Sequence, residues 1–100
     1  NVVYQPKLIA ASSDEILERV SNEFKIKIVK SNKDQGTCYL ILTLQKEINL
    51  PLSNLYIICN NDMVSIKIPP LNNKQAQMII RKEDKFYNLI TNPESEIFLR

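Results

Sequence analysis

The sequence predicts an α+β two-layer sandwich: a four-stranded antiparallel meander with helices before and after it, in the order α-β-β-β-β-α. Three observations carry that expectation. A capping-box pattern, Ser12-Ser13-Asp14-Glu15, opens a run with helical spacing. From Lys25 to Ile68 the apolar period changes to two. Pro69-Pro70 then ends the strand region, since neither residue can donate to a ladder, and a second helical pattern follows. Helices grouped on one face of a meander complete the two layers.

Taken in order, residues 1–11, with Val2, Val3, Tyr4, Leu8 and Ile9 around Pro6, read as an extended arm or edge strand, and residues 12–100 as a single domain. Ile16, Leu17, Val20 and Phe24 fall on one helical stripe, while Glu15, Glu18, Arg19 and Glu23 face out, with Glu15 and Arg19 an i,i+4 pair. Ile26 and Ile28 alternate with Lys25 and Lys27 as in a half-buried strand. Ser31 to Gly36 is a turn, and Gly36 is the natural place for a bulge with positive φ.

Thr37 to Gln45 is the second strand. A loop over Glu47 to Ser53 leads to Asn54–Cys59, an Asn60-Asn61-Asp62 turn, and Met63–Ile68. Parity then tests the register. A two-residue turn at Asn60-Asn61 sets Ile57 opposite Val64 and Leu55 opposite Ile66, and a symmetric loop centred between Ile48 and Asn49 sets Leu40 opposite Ile57, Leu42 opposite Leu55 and Cys38 opposite Cys59. Asn72 or Asn73 caps a helix with Ala76, Ile79 and Ile80, which continues or breaks near Asp84 into a turn carrying Phe86, Leu89 and Ile90, closed by Pro93.

If helices cover Leu40, Leu42, Leu55, Ile57, Val64 and Ile66, the opposite sheet face carries Tyr39, Ile41, Tyr56, Ile58 and Met63, more apolar than a solvated face. Either the arm or Ile97-Phe98-Leu99 folds across it, or a protein partner binds there. Tyrosines suit such a patch because they bring area and a hydrogen bond at low entropy cost. A partner peptide also fits a groove between the sheet and the terminal helix near Phe86 and Tyr87.

Composition narrows the chemistry. The chain has no histidine and a single glycine, so the usual neutral-pH general base and glycine-rich phosphate cradles are missing, and no catalytic residue, cofactor site or small-molecule substrate is assigned. Cys38 and Cys59, with no histidine or third cysteine, do not make a usual zinc site and read as buried thiols. Two cysteines in 100 residues point to a reducing intracellular compartment. A net charge of +2 gives no strong footprint for nucleic acid. Lys25, Lys27, Lys30 and Lys33, and a second group of Arg81, Lys82 and Lys85, read as solvated surface. No apolar run approaches the roughly 18 residues of a membrane span.

From Ser12 onward, the element order, the strand start Phe24-Lys25-Ile26-Lys27-Ile28, the exit Pro70-Leu71, the anchors Phe86 and Leu89, and the terminal Phe98-Leu99-Arg100 resemble an RWD domain of the divergent kind found in kinetochore and assembly subunits. The tyrosine-proline motif of the ubiquitin-conjugation branch is absent, and no heptad segment precedes Ser12. The resemblance implies a non-enzymatic scaffold that pairs with a second domain of its type or holds a short peptide, in the nucleus or on chromosomes. Two other classes remain open: a ring-building or adaptor domain of a secretion or envelope complex, and a nucleic-acid-binding module.

Overall fold

The computed structural model describes residues 2–3, 6–7, 15–31, 33–47 and 54–100. Its elements are β1 (Val2–Val3), β2 (Pro6–Lys7), β3 (Glu15–Val20), β4 (Phe24–Lys30), β5 (Thr37–Leu44), β6 (Asn54–Cys59), β7 (Asp62–Lys67), β8 (Gln75–Arg81), α1 (Lys85–Ile90) and β9 (Glu96–Leu99). Seven strands of four or more residues and one short helix make the described chain mostly β. The strands form two antiparallel sheets, ordered β2-β3-β4-β5-β8 and β1-β9-β6-β7. The expected α-β-β-β-β-α sandwich is therefore corrected. A second sheet, rather than a layer of helices, covers the first.

Where aliphatic residues hold every second position, the backbone pairs as that spacing requires. Ile26 lies opposite Leu42 and Ile28 opposite Leu40 in the β4–β5 hairpin. In the β6–β7 hairpin, Leu55 meets Ile66 and Ile57 meets Val64, and Asn60 takes φ 56° at the first turn position. Gly36 departs from expectation: its φ is not positive, and its N–H donates to Asp34 Oδ1 at 2.8 Å, so an aspartate side chain shapes that turn.

The remaining differences have physical causes. Residues 15–20 are a strand because Leu17 and Arg19 point inward and Glu18 and Val20 outward, with Ile16 as the extra residue of a bulge against β4. The chain then reverses at Asn22-Glu23, where Ser21 Oγ accepts from the N–H groups of Glu23 and Phe24. Of the capping box, Ser12, Ser13 and Asp14 lie outside the described residues, as do Tyr4, Leu8, Ile9 and most of the Glu47–Ser53 loop.

Residues 75–81 are also a strand, with Ala76, Met78 and Ile80 inward and Gln75, Gln77, Ile79 and Arg81 outward. β8 occupies the edge of β5 that was expected to receive β6, so Leu40 lies opposite Met78, Leu42 opposite Ala76 and Cys38 opposite Ile80. Cys38 and Cys59 consequently sit in different sheets, both buried and free. The terminal Ile97-Phe98-Leu99 is β9, inserted between β1 and β6. The break at Asp84 is present, and Phe86, Leu89 and Ile90 of α1 are buried.

One apolar cluster joins the two sheets, with Ile26, Ile28, Leu40 and Leu42 from one and Leu55, Ile57 and Ile97 from the other fully buried. Such burial stabilises by about 25 cal/mol per Å² of apolar surface. Arg19 lies inside as well, 1% exposed. Its guanidinium donates to the carbonyl oxygens of Ile90 (3.3 Å), Pro93 (3.5 Å) and Ser95 (2.9 Å), which ties the segment after α1 to β3. Ser95, itself buried, donates from Oγ to the Leu89 carbonyl.

Candidate interaction surfaces

Two packed sheets leave two outer faces, and ladder register fixes what each displays. On the four-stranded sheet, inward Leu55, Ile57, Val64, Ile66, Ile97 and Leu99 alternate with an outward grid of three rows. One row is Phe98, Tyr56 and Ser65, and the next is Glu96, Ile58 and Met63. The third places Asn54 between Lys67 and Arg100, since Asn54 and Arg100 exchange backbone hydrogen bonds at 2.7 and 3.0 Å. Arg100 also stands over the Phe98 ring, its Cζ 6.0 Å from the centroid. The centre of this face is thus apolar, with Met63 59% exposed, and one end is basic.

The five-stranded sheet presents a different face. Val29, Tyr39 and Ile79 form an apolar row across β4, β5 and β8, and Ile79 is 66% exposed. The adjoining row is mixed: Glu18, Lys27, Ile41 and Gln77, with Lys27 Nζ 3.8 Å from Glu18 Oε2. The next carries Val20, Lys25, Thr43 and Gln75.

The residues singled out by sequence therefore occupy three places. Tyr56, Ile58 and Met63 lie together on the four-stranded face. Tyr39 and Ile41 lie on the five-stranded face, on the far side of the sandwich. Phe86 is buried beneath α1 and Tyr87 half-buried beside it, so the groove expected between sheet and helix is filled by the helix's own side chains. Phe98, Val29 and Ile79 join these surfaces without having been named for them. Period-two spacing was their available signal, since each shares parity with the outward set of its strand.

Around α1 the chemistry is that of a closed interior. Burial pushes the Cys38 thiol above its ordinary 9.0, and the Lys82 charge draws it partly back. Tyr87 is raised above its ordinary 10.0, first by burial and then by Cys38. Asn92 Nδ2 donates to Cys59 Sγ at 3.4 Å. Among the described residues no group of three potential metal ligands occurs. A shallow open cleft at the end of the five-stranded sheet is lined by Asp34, Gln35, Gly36, Thr37, Arg81, Lys82 and Glu83. Arg81 there lies 3.8 Å from Glu83. No helix among the described residues is long and apolar enough to cross a membrane. In comparisons with known proteins, no family model, no curated protein and no solved structure matches the chain.

Proposed function

We propose that the chain is a non-enzymatic protein–protein interaction module that docks a partner on the outer face of the four-stranded sheet. The observation that carries this reading is the cluster of Phe98, Tyr56, Ile58 and Met63 with Lys67 and Arg100 at one end. Aromatic residues and methionine with arginine at the border are the composition of an interface centre. The partner this face fits is a protein segment with apolar side chains and an acidic flank, the acidic group meeting Lys67 and Arg100. The reading rests on this face and not on the RWD resemblance.

The test is affinity capture with the wild-type chain and with Met63→Glu, followed by titration of each purified captured protein against Lys67→Glu. A partner of this face is lost with Met63→Glu and binds at least tenfold more weakly to Lys67→Glu, with both variants keeping the wild-type melting temperature. Binding that survives both changes, or disappears only when the fold does, contradicts the reading.

A further inference from the structure

The open edge of β8 has a self-complementary pattern. Leu44 N–H donates to Lys74 O at 2.8 Å and Lys82 N–H to Gly36 O at 2.9 Å. In an antiparallel ladder hydrogen-bonded pairs recur every second residue, so Cys38–Ile80, Leu40–Met78 and Leu42–Ala76 are the bonded pairs between them. The backbone groups of Gln75, Gln77, Ile79 and Arg81 therefore point away from β5. Asn72 and Gln75 exchange both of their backbone bonds, at 2.8 and 3.0 Å, and the Arg81 carbonyl accepts from Asp84 N–H. Those of Gln77 and Ile79, with the Arg81 N–H, line an open edge, and among the described residues no strand pairs with it.

β8 runs seven residues without proline, bulge or inward charge, and its one charged residue, Arg81, stands at its end. Against the core, Val64, Ile66 and Met78 point inward yet stay only partly buried. The open edge of the other sheet, β7, leads through Ile68 into Pro69-Pro70, which blunts it.

We infer that β8 pairs antiparallel with β8 of a second copy of this chain, with the two-fold axis at Ile79. The occupant follows from self-complementarity. With Ile79 opposite Ile79 of the second copy, Gln77 meets Arg81, and the amide oxygen of one faces the guanidinium of the other. The exposed row Val29, Tyr39, Ile79 then continues through Ile79, Tyr39 and Val29 of the second copy, and the two five-stranded sheets become one of ten. An axis at Met78 instead sets Ile79 against Gln77 and breaks that row. The contact is independent of the Tyr56 face, so the two readings fail separately.

The test is solution mass by light scattering over a concentration series for the wild-type chain, Ile79→Lys, Ile79→Glu and an equal mixture of the two variants. Ile79 is exposed, so circular dichroism should show both variants folded. The expected result is wild-type mass rising toward twice 11.6 kDa, each variant alone remaining at one chain, and the mixture recovering the dimer as opposite charges meet at the axis. Gln77→Pro gives a second arm. Its N–H faces the open edge, so proline removes an intermolecular bond while sparing the β5 ladder, and the mass should fall to one chain. Dimeric Ile79→Lys or Gln77→Pro overturns the inference. So does a wild-type mass of one chain throughout, which leaves the edge to an extended segment of a different protein.

Discussion

Arg19 on β3 donates from Nη2 to the carbonyl oxygen of Ser95 at 2.9 Å, a link between the five-stranded sheet and the residue that leads into β9 of the other. The same guanidinium reaches the carbonyls of Ile90 and Pro93. Replacing it with alanine leaves buried acceptors without this donor and opens a cavity, so Arg19→Ala should cost on the order of 3 kcal/mol. Lysine keeps charge and stem but not a fork that spans separate carbonyls, and should recover only part of that loss. Urea denaturation of the three proteins checks this. A loss under about 1 kcal/mol for alanine would mean that solvent serves those carbonyls instead.

Arg19 also explains why half the fold was hidden from the sequence. In Ile16-Leu17-Glu18-Arg19-Val20 the buried pair is Leu17 and Arg19, Val20 is exposed, and Ile16, the bulge residue, packs partly buried against the core. A buried arginine, an exposed valine and a bulge at Ile16 erase the period-two pattern, leaving the accidental helical stripe that runs on to Phe24. The chain in fact reverses within that stripe, at Asn22-Glu23. In β8, exposed Ile79 completes a false helical set with Ala76 and Ile80, although Ala76, Met78 and Ile80 carry the true alternation. The β4–β5 and β6–β7 registers were legible because every buried residue of those strands is apolar, with Lys30 and Asp62 taking the inward parity only at strand ends. The outer grid of the four-stranded sheet was legible only in part, because β9 pairs with β6 only after β7, β8 and α1 have intervened, and no local pattern announces that pairing.

The turn before β8 stores strain that one substitution should release. Asn73 and Lys74 take φ 53° and 63°, and Asn72 and Gln75 bond to each other across them, as in a type I′ turn. Asparagine tolerates that region, whereas lysine has no such advantage and glycine is the preferred residue at the second position. Lys74→Gly should raise the unfolding free energy by about 0.5–1 kcal/mol, read from the urea midpoint at unchanged slope. A destabilised variant would mean that this backbone is not left-handed.

Stability should fall in alkali. The Cys38 and Tyr87 values are both raised in the fold, so their contribution is complete below the unfolded values and is lost as pH rises through the folded ones. Unfolding free energy should be flat with respect to these groups up to about pH 8.5 and decline above about pH 9. Cys38→Ala should flatten the first part of that decline and Tyr87→Phe the later part. Unchanged slopes in both variants would show that neither group titrates differently on unfolding.

Tyr56 and Phe98 face each other across β6 and β9 on the proposed docking surface. A cross-strand aromatic pair of this kind contributes about 0.2–1 kcal/mol beyond its separate members. A double-mutant cycle of Tyr56→Ala and Phe98→Ala, read by thermal and urea unfolding, should return a favourable coupling in that range. Zero coupling would separate the two rings and dissolve the apolar cluster.

Amide hydrogen exchange along residues 75–81 tests the edge-strand placement of β8 most directly. In dilute solution the N–H groups of Ala76, Met78 and Ile80, bonded to β5, should be protected, and those of Gln77, Ile79 and Arg81 should exchange quickly. Raising the protein concentration should slow Gln77, Ile79 and Arg81 alone, as a second copy pairs with the open edge. Uniform protection through all seven residues at every concentration, as a helix would give, would contradict both the two-sheet fold and the edge it exposes.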